Sequence, residues 1–421
     1  MKRVSKLRWA MQVLLIGLLT ACAAFPVGPK RTIHDWEDEA MPTATVTTNA
    51  QATAQALTHP TPPTLLTSNS TLFEPSKPAE PSKPSEPPEP STLRFDYPTP
   101  IPFTHGQTQT EFGIQINGCD KDVPAALAIV KRMGLTWIKQ QARWADIETA
   151  PNTFDWGCLD RVIPVAHAQG FKVLISVTTA PAHTRQIYKG ILHPTHGRPM
   201  DFRDFGLFLA RLIARYPKQI QALELWNEPN LMREWGDVLD GGVYAQLLAA
   251  GYGAVKAIDP SIMVISAGVA PTGMNAQWEA IDDGLFLKQF AANDGPDYAD
   301  CIGVHANGPD GVGEIQLVVP RQMKTLGHSR PVCVTELGYA LPIDGRAPAG
   351  FDWVMSHTSE QQAEVLLGGM RWSRQSGYVR LVILWNLNFD GPAGDPNVPY
   401  ALVRANAGWQ SPIVEQSVGQ P

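Results

Sequence analysis

One pattern repeats along most of this chain: a short apolar run followed by a longer amphipathic segment. Eight runs have the length and composition of buried strands, at residues 112–116, 136–140, 172–177, 222–226, 263–267, 301–305, 332–336 and 380–386. Seven segments between them have helical periodicity, at residues 123–133, 159–169, 202–216, 244–258, 285–293, 314–326 and 359–376. Strands that alternate with helices are typical of parallel sheets with right-handed crossovers.

Eight such units between residues 112 and 386 predict an α/β fold of the (β/α)8 type, the TIM barrel, which needs about 250 residues. An eighth helix is expected beyond Asn388. The alternative is an open doubly wound sheet, but no Gly-x-Gly-x-x-Gly follows the first strand. The formal net charge of −6 argues against a nucleic-acid-binding protein, which would normally carry a basic face.

The N-terminus has the parts of an export signal. Four basic residues precede an apolar stretch at residues 9–19, which is shorter than the ~20 residues that span a bilayer. Residues 19–22, Leu-Thr-Ala-Cys, resemble the lipobox of bacterial lipoproteins. The resemblance implies a signal peptide at 1–21 and a lipid on Cys22, so a membrane-anchored surface protein is expected. An ordinary secretory signal or an uncleaved anchor is the alternative.

The segment from 22 to 106 differs in composition from the rest of the chain. Fourteen of the 37 prolines lie between Met41 and Pro102, among many Ser, Thr, Ala and Glu residues. Few large apolar groups are present, so burial cannot offset the entropy lost on ordering. We expect a disordered Pro/Ser/Thr-rich linker that holds a catalytic domain, residues 107–421, away from the membrane.

A barrel of this type places reactive groups at the carboxyl ends of its strands. The polar and aromatic residues at those ends are Arg143, Trp144, His183, Asn227, Glu228, His305, Asn307, Glu336 and Trp385. Cleavage of a glycosidic bond needs a proton for the leaving oxygen and a carboxylate below the developing cation. Glu228 and Glu336 follow the fourth and seventh strands, from which they could approach to the ~5–5.5 Å typical of retaining enzymes.

The motifs around these two glutamates resemble those of a known group of enzymes. The sequence Trp-Asn-Glu-Pro at 226–229 resembles the Asn-Glu-Pro motif of clan-A retaining glycoside hydrolases. The sequence Val-Thr-Glu-Leu-Gly at 334–338 is similar to the nucleophile strand of that clan. The sequence from 137 to 179 also resembles that of the clan. Within the clan, the chain is similar to families 39 and 5.

The resemblance implies a role for several residues. Glu228 would be the general acid and then the base, and Glu336 would be the nucleophile. Asn227 would hydrogen-bond the sugar 2-hydroxyl, and Trp385 would form a platform below the sugar. His305 would lie beside Glu336 and keep it ionised.

Other residues at the mouth are expected to bind substrate. They are Arg143, His183 and Trp144, while Trp235, Trp278 and Trp353 would act in substrate choice or in packing. The clan often has an Arg where this chain has Lys139, and whether Arg143 takes over its task is open. Lys lacks the bidentate fork of Arg.

Four cysteines remain beyond Cys22. Cys119 and Cys158 both lie near the predicted barrel mouth, and we expect them to form a disulfide. Cys301 and Cys333 belong to neighbouring strands, where buried thiols are favoured over a bond. No metal is expected, because the chain has no Cys-x-x-Cys and no His-Glu-x-x-His. No cofactor is implied.

The sequence therefore predicts a monomeric glycoside hydrolase that retains the anomeric configuration. Its expected substrate is a β-linked extracellular poly- or oligosaccharide, and its expected anchor is lipid. Two alternatives stay open: a non-catalytic glycan-binding lipoprotein, since a fold alone does not fix function, and a transglycosylase.

Overall fold

The computed structural model describes residues 108–185, 196–276, 279–309, 312–391, 394–404, 408–416 and 418. The predicted signal peptide, Cys22, the linker and Trp278 lie outside the described residues. Within the described part, no helix is both long enough and apolar enough to cross a bilayer.

Eight parallel strands form one sheet, as the sequence predicts. They are β1 (Glu111–Gln115), β2 (Trp137–Arg143), β3 (Lys172–Thr178), β4 (Ala222–Leu225), β5 (Met263–Ser266), β6 (Ile302–Ala306), β7 (Val332–Leu337) and β8 (Val379–Leu384). In the described part of the chain, seven longer helices connect them: α1 (Val123–Arg132), α2 (Gly157–Ala168), α3 (Phe202–Arg215), α4 (Gly241–Ile258), α5 (Asp283–Ala292), α6 (Val312–Thr325) and α7 (Ser359–Ser376). Two four-residue helices lie at Trp144–Ile147 and Met232–Trp235.

The order of the strands is that of a barrel. The sheet runs β5-β4-β3-β2-β1-β8-β7-β6, so the first and last strands of the chain are neighbours. The remaining gap, between β5 and β6, is joined by parallel bridges from Ile265 to Cys301 and from Val269 to Val304. The (β/α)8 fold class is thereby confirmed.

The segment after β8 differs from the prediction. In place of an eighth α-helix, the described residues form 3-10 helices at Val398–Tyr400 and Pro412–Glu415. A proline in the first turn of each fixes φ but donates no hydrogen bond. The buried side chains of Ile413 and Val414 supply the apolar cover that a helix would have given.

The interior of the barrel has two layers. The apolar layer, near the amino ends of the strands, consists of Trp137, Leu174, Ala222, Met263, Ile265, Cys301, Cys333, Leu381 and Ile383. The charged layer, toward the carboxyl ends, contains Lys139, Glu224, His305 and Glu336, all buried. Side chains alternate across a strand, so Trp137 and Lys139 both point inward from β2.

The described residues contain two disulfides. Cys119 bonds to Cys158, the expected pair, with the Cα atoms 4.8 Å apart. Cys301 bonds to Cys333, with the Cα atoms 5.8 Å apart, so the expectation of buried thiols there is corrected. Cys301 lies two residues before Gly303, the register partner of Cys333, and both cysteines belong to the apolar layer.

Candidate active site

The turn after β4 presents Glu228 at the mouth of the barrel. Trp226 and Glu228 both have positive φ, 85° and 37°, which is uncommon for residues other than glycine and occurs most often at functional sites. The backbone N–H of Glu228 donates to the Gly268 carbonyl at 3.0 Å. The indole N–H of Trp226 donates to the Glu234 carbonyl at 3.3 Å. These bonds hold the strained turn in place.

Glu336 and His305 lie opposite each other on adjacent strands, β7 and β6. The His305 Nδ1 atom is 3.1 Å from Glu228 Oε1 and 3.5 Å from Glu336 Oε2. One carboxylate oxygen of Glu228, one of Glu336 and a ring nitrogen of His305 all lie within 4.8 Å of one another. The structure thus brings together the two predicted carboxylates, but His305 lies between them and nearer to Glu228 than the sequence predicts.

Beneath the carboxylates lies a buried ion pair that the sequence analysis did not include. Lys139 Nζ is 2.8 Å from Glu224 Oε2 and 3.4 Å from Glu336 Oε1. It also donates to the Thr335 carbonyl at 3.3 Å. Lys139 therefore holds Glu336 from below, in the position where the resemblance implies an Arg.

The charged groups shift one another's pKa values. Burial alone would lower the pKa of His305, but Glu336, Glu224 and Glu228 outweigh it and raise the value to about 10. Burial alone would raise the pKa of Glu228, but the hydrogen bond with His305 and the charge of Arg233 lower it overall. The imidazole therefore carries a proton at neutral pH and Glu228 is a carboxylate.

The pKa values of Lys139 and Glu224 are also set by burial acting against the attraction of opposite charges. Burial disfavours the charged forms of Lys139 and Glu224. Their attraction for each other, and for Glu336 and His305, outweighs this effect. The pKa of Lys139 is raised and that of Glu224 is lowered. Both stay ionised inside the barrel.

Asn307 is a further residue that contacts Glu336. Its side-chain amide donates to Glu336 Oε2 at 2.8 Å. Its backbone carbonyl accepts a hydrogen bond from the Tyr400 hydroxyl at 2.8 Å. A residue of the irregular segment after β8 thereby helps to position the candidate nucleophile.

A third carboxyl group borders the pair. Glu234 lies in the short helix Met232–Trp235, which follows Glu228, and is half-buried. Burial and the charge of Glu228 raise the pKa of Glu234 to about 7, although Arg233 and the Asn227 amide oppose the shift. Arg233 Nη2 is 3.0 Å from Glu228 Oε2, and its Nε is 3.8 Å from Glu234 Oε1. Arg233 thus links the two carboxylates.

Gly268 makes room for the His305 ring. A Cβ atom at this position would overlap with the imidazole carbons and Nε2. The backbone N–H of Gly268 donates to Glu224 Oε1 at 3.3 Å. Glycine is therefore required here by a close approach between side chain and backbone.

Trp385 and Asn227 lie where the sequence predicts, at the mouth. Trp385 is 9% exposed, packs in a cluster with Tyr400 and Val354, and is joined to Asn386 by a cis peptide bond. Asn227 is 7% exposed, and its Oδ1 atom has no hydrogen-bond partner within the described residues. Both can therefore offer a surface or a polar atom to a ligand.

Trp144 lies elsewhere. It is 1% exposed and stacks on Phe208 with ring centroids 5.2 Å apart, while its N–H donates to Glu148 at 2.7 Å. The prediction that Trp144 contacts substrate is wrong, because the side chain belongs to the core outside the barrel. Trp235 is likewise fully buried, between Trp226 and Tyr244.

Arg143 and His183 do not contact the two carboxylates. Arg143 Nε is 3.1 Å from Asp146 Oδ2, and both side chains are exposed. His183 Nε2 is 3.6 Å from Glu148 Oε1. Lys139, rather than Arg143, therefore supports Glu336.

The donor atoms of Glu228, His305 and Glu336 are close enough together to hold a metal ion. The same three groups are the two candidate carboxylates and the imidazole that lies between them.

Comparisons with known proteins agree with this architecture. Residues 118–198 match glycoside hydrolase family 42, described as beta-galactosidase, over about a fifth of the chain. No curated protein matches the chain significantly.

Among solved structures, a family 39 glycoside hydrolase from Bacteroides cellulosilyticus WH2 is 19% identical, with a TM-score of 0.56 over 74% of this chain. This chain spans 63% of that protein's length. A GH5_18 protein from Streptomyces cattleya is 15% identical, with a TM-score of 0.53 over 74% of this chain and 80% of that one. The endo-beta-1,4-glucanase from Xanthomonas axonopodis pv. citri is 11% identical, with a TM-score of 0.51 over 72% and 96%.

These matches confirm the predicted resemblance to clan-A glycoside hydrolases. The chain has the barrel fold of those solved structures, and about a fifth of its length matches the family model. At these identities the structural likeness concerns the fold, so the roles of individual residues are argued from the geometry.

Proposed function

We propose that the protein hydrolyses β-linked O-glycosidic bonds with retention of configuration, using Glu228 as acid and base and Glu336 as nucleophile. The observation that carries the proposal is the approach of the two carboxylates, whose oxygens lie within 4.8 Å with His305 between them. Retaining enzymes separate their carboxyl groups by ~5–5.5 Å, whereas inverting enzymes need ~6.5–9.5 Å for a water molecule.

The reaction would have two steps. In the first, a Glu336 oxygen attacks the anomeric carbon while Glu228 gives its proton to the departing glycosidic oxygen. In the second, Glu228 takes a proton from water, whose oxygen displaces Glu336 from the sugar. The covalent bond to Glu336 forms and breaks once per cycle, so the anomeric configuration is inverted twice and thereby retained.

We infer that His305 supplies the proton for the first step. Its pKa is raised to about 10, and its Nδ1 atom faces Glu228 Oε1 at 3.1 Å. Transfer of the proton along this hydrogen bond would leave a neutral imidazole and a protonated Glu228. Lys139 and Asn307 would keep Glu336 ionised and oriented throughout, through contacts of 3.4 and 2.8 Å.

The test uses Glu336→Gln and Glu228→Gln, with Glu364→Gln, an exposed glutamate on α7, as the matched control. Substrates are a panel of aryl β-glycosides and plant and microbial polysaccharides. We expect the wild type and the control to hydrolyse at least one of them. Glu336→Gln should lose at least about 10⁴-fold in kcat, because no covalent intermediate forms.

The stereochemistry of the first product separates the mechanisms. Proton NMR during early turnover should show the β-anomer before mutarotation. Appearance of the α-anomer, or full activity of Glu336→Gln, would overturn the proposal. Binding of glycans without turnover by a folded wild type would favour the glycan-binding alternative, and new oligosaccharides formed in the presence of an acceptor sugar would favour a transglycosylase.

We further propose that the protein acts at the cell surface, attached by a lipid on Cys22. The support is the Leu-Thr-Ala-Cys sequence at 19–22 and the proline-rich stretch that follows. Cys22→Ala should move the protein from the membrane fraction to the soluble exported fraction. Retention of that variant in the membrane would contradict the lipid anchor.

A further inference from the structure

Glu228 is held at both of its carboxylate oxygens. His305 Nδ1 lies 3.1 Å from Glu228 Oε1, and Arg233 Nη2 lies 3.0 Å from Glu228 Oε2. His305 is completely buried on β6, whereas the Arg233 side chain is 68% exposed on the short helix Met232–Trp235. A long exposed side chain loses rotamer entropy when it is held in one geometry, so a single ion pair restrains it poorly. Arg233 needs a further contact if it is to hold Glu228 in a fixed position.

Glu234 supplies that contact. Its Oε1 atom is 3.8 Å from Arg233 Nε, so one guanidinium contacts the carboxylates of both Glu228 and Glu234. Only 24% of the Glu234 side chain is exposed, and salt screens a partly buried pair less than one at the surface. The Asn227 amide also hydrogen-bonds the Glu234 carboxyl group. Glu234 is thereby tied to two groups that adjoin the candidate acid.

The short helix that carries these side chains is anchored to the turn after β4. Trp235 is completely buried, with its ring centroid 5.7 Å from that of Trp226. The Trp226 indole N–H donates to the Glu234 carbonyl at 3.3 Å. The Met232 backbone N–H donates to the Glu279 carbonyl at 2.9 Å. Because these contacts use ring and backbone atoms, a change of the Glu234 carboxyl group alone should leave the helix in place.

The charge of Glu234 and its contact with Arg233 affect Glu228 in the same direction. A neighbouring anion favours the protonated form of a carboxyl group, because like charges repel. Burial raises the pKa of Glu228, while His305 and Arg233 lower it. Glu234 competes with Glu228 for Arg233 and so weakens part of the lowering. An ionised Glu234 therefore helps Glu228 to hold the proton that a general acid must carry.

This influence depends on pH. Burial, and then the charge of Glu228, raise the pKa of Glu234 to about 7. Above this pH Glu234 is an anion that attracts Arg233. Below it, Glu234 is neutral and leaves Arg233 to Glu228.

Other ionisable groups surround Glu228 in the described part of the chain. They are His305 on β6, Glu336 on β7 and Tyr400 after β8, with Glu224 and Lys139 beneath them. The pKa of His305 is raised to about 10, and burial raises that of Tyr400. Neither of these two groups changes charge near neutral pH, whereas Glu234 does.

We propose that Glu234 is a positioning residue for the acid–base step: it shares Arg233 with Glu228 and thereby favours the form of Glu228 that carries the proton. The inference rests on the proposed function and makes it more specific. In the first step, the proton passes from His305 Nδ1 to Glu228 Oε1 and on to the departing glycosidic oxygen. Glu234 neither gains nor loses a proton in this step, and it acts through its charge and through Arg233.

The test uses two aryl β-glycosides of a sugar that the wild type accepts. A dinitrophenolate departs without a proton, whereas an unsubstituted phenolate needs one from the general acid. At about pH 8, Glu234→Gln should lower kcat/KM about tenfold for the phenyl glycoside and less than about twofold for the dinitrophenyl glycoside. At about pH 6, Glu234 of the wild type is itself mostly protonated, so the loss for the phenyl glycoside should shrink to less than about threefold.

Glu279→Gln is the matched control. Glu279 is an exposed glutamate whose backbone carbonyl contacts the same short helix, and its substitution should change kcat/KM for neither glycoside by more than about twofold. In an Arg233→Gln background, Glu234→Gln should cost less than about threefold, because one of its two routes to Glu228 is gone. An undiminished tenfold loss in that background would overturn the shared contact.

Carbon-13 NMR of the glutamate carboxyl groups tests the contact without turnover. The Glu234 signal is identified by its loss in Glu234→Gln, and its titration midpoint should lie at about pH 7 in the wild type. Glu228→Gln should lower that midpoint, and Arg233→Gln should raise it. These shifts would support the shared contact even if the wild type hydrolysed nothing, a result that would end the hydrolase proposal. Equal losses on the two glycosides, or a Glu234 midpoint that neither variant moves, would overturn the role of Glu234 and leave the hydrolase proposal standing.

Discussion

The two layers inside the barrel belong to the same sheet but differ in charge and in how they are held together. The apolar layer contains nine side chains, none of them charged, and one disulfide. The charged layer lies one step further along the strands, where Lys139, Glu224 and His305 are 0–1% exposed. Strand β2 contributes to both layers through residues only two positions apart, Trp137 and Lys139.

The difference shows how a buried site of several charges is held together. The apolar layer stabilises through burial and packing, which tolerate the loss of one contact. The charged layer depends on complete pairing, because a buried ion that loses its partner is left uncompensated. Substitutions in the two layers should therefore have different consequences for stability and for turnover.

The largest effect is expected for Lys139→Met. It leaves Glu224 and Glu336 without their cation, and it should lower the free energy of unfolding by about 3–5 kcal/mol. Turnover should fall about 100-fold, because the charge at Glu336 is no longer oriented. Denaturant unfolding and aryl-glycoside kinetics measure the two quantities.

Lys172→Met is the matched control for this experiment. Lys172 pairs with Glu111 at the opposite, solvent-exposed end of the barrel. Removing a surface pair should cost at most ~1 kcal/mol and leave turnover unchanged. Equal effects of the two lysine substitutions would refute the distinction between the layers.

Leu174→Ala tests the apolar layer. The side chain is completely buried on β3, and its truncation should lower the free energy of unfolding by about 2–5 kcal/mol. The kcat of the folded fraction should stay within about twofold of the wild type, since the charged pairs are intact. A loss of kcat as large as that of Lys139→Met would show that the layers act as one unit.

A smaller effect is expected from pH, because every side chain stays in place. His305 faces Glu224, Glu228 and Glu336, and its pKa is raised from the ordinary 6.5 to about 10. Its protonated form stabilises the fold fully below pH 6.5, and this contribution is lost as the pH rises toward 10. Thermal unfolding midpoints should fall over this range.

His305→Gln provides the comparison for the pH experiment. This variant removes the titrating group, so its unfolding midpoint should depend less on pH between about 7 and about 9.5 than that of the wild type. A steeper dependence in the variant would mean that another group controls the transition.

The smallest effect is expected for Arg233→Gln. Arg233 is 68% exposed, and its loss should change the free energy of unfolding by at most ~1 kcal/mol. Its charge helps to lower the pKa of Glu228, so the limb of the pH–rate profile that reports Glu228 should move to higher pH. A downward shift would contradict the contact between Arg233 and Glu228.

Much of the fold could be predicted from the sequence because buried strands produce long apolar runs. All eight predicted strands overlap the observed ones. The predicted second strand ends at residue 140, three residues before the end of β2. Gln141 and Arg143 are polar and do not read as a buried strand, but they pair with β3 as far as Thr178. The missing eighth helix reflects a segment whose prolines favour short 3-10 turns.

The site could be predicted only where a motif or a strand end marked it. Glu224 was missed, although a glutamate inside the apolar run 222–226 is itself a signal of a buried partner. Trp144 was placed at the mouth because sequence position does not show which way a tryptophan points. The bond between Cys301 and Cys333 depends on how neighbouring strands align, which composition does not reveal.

The space that Gly268 leaves for His305 links two positions that are 37 residues apart in the sequence. Any chain with a side chain at the first position must reshape or replace the imidazole at the second. A side chain at position 268 therefore requires a change at position 305, whereas His305 can be replaced while Gly268 is kept. A glycine and a histidine at these two positions would together identify sequences in which an imidazole lies between the two carboxylates. Barrels that position the general acid differently would lack the pair.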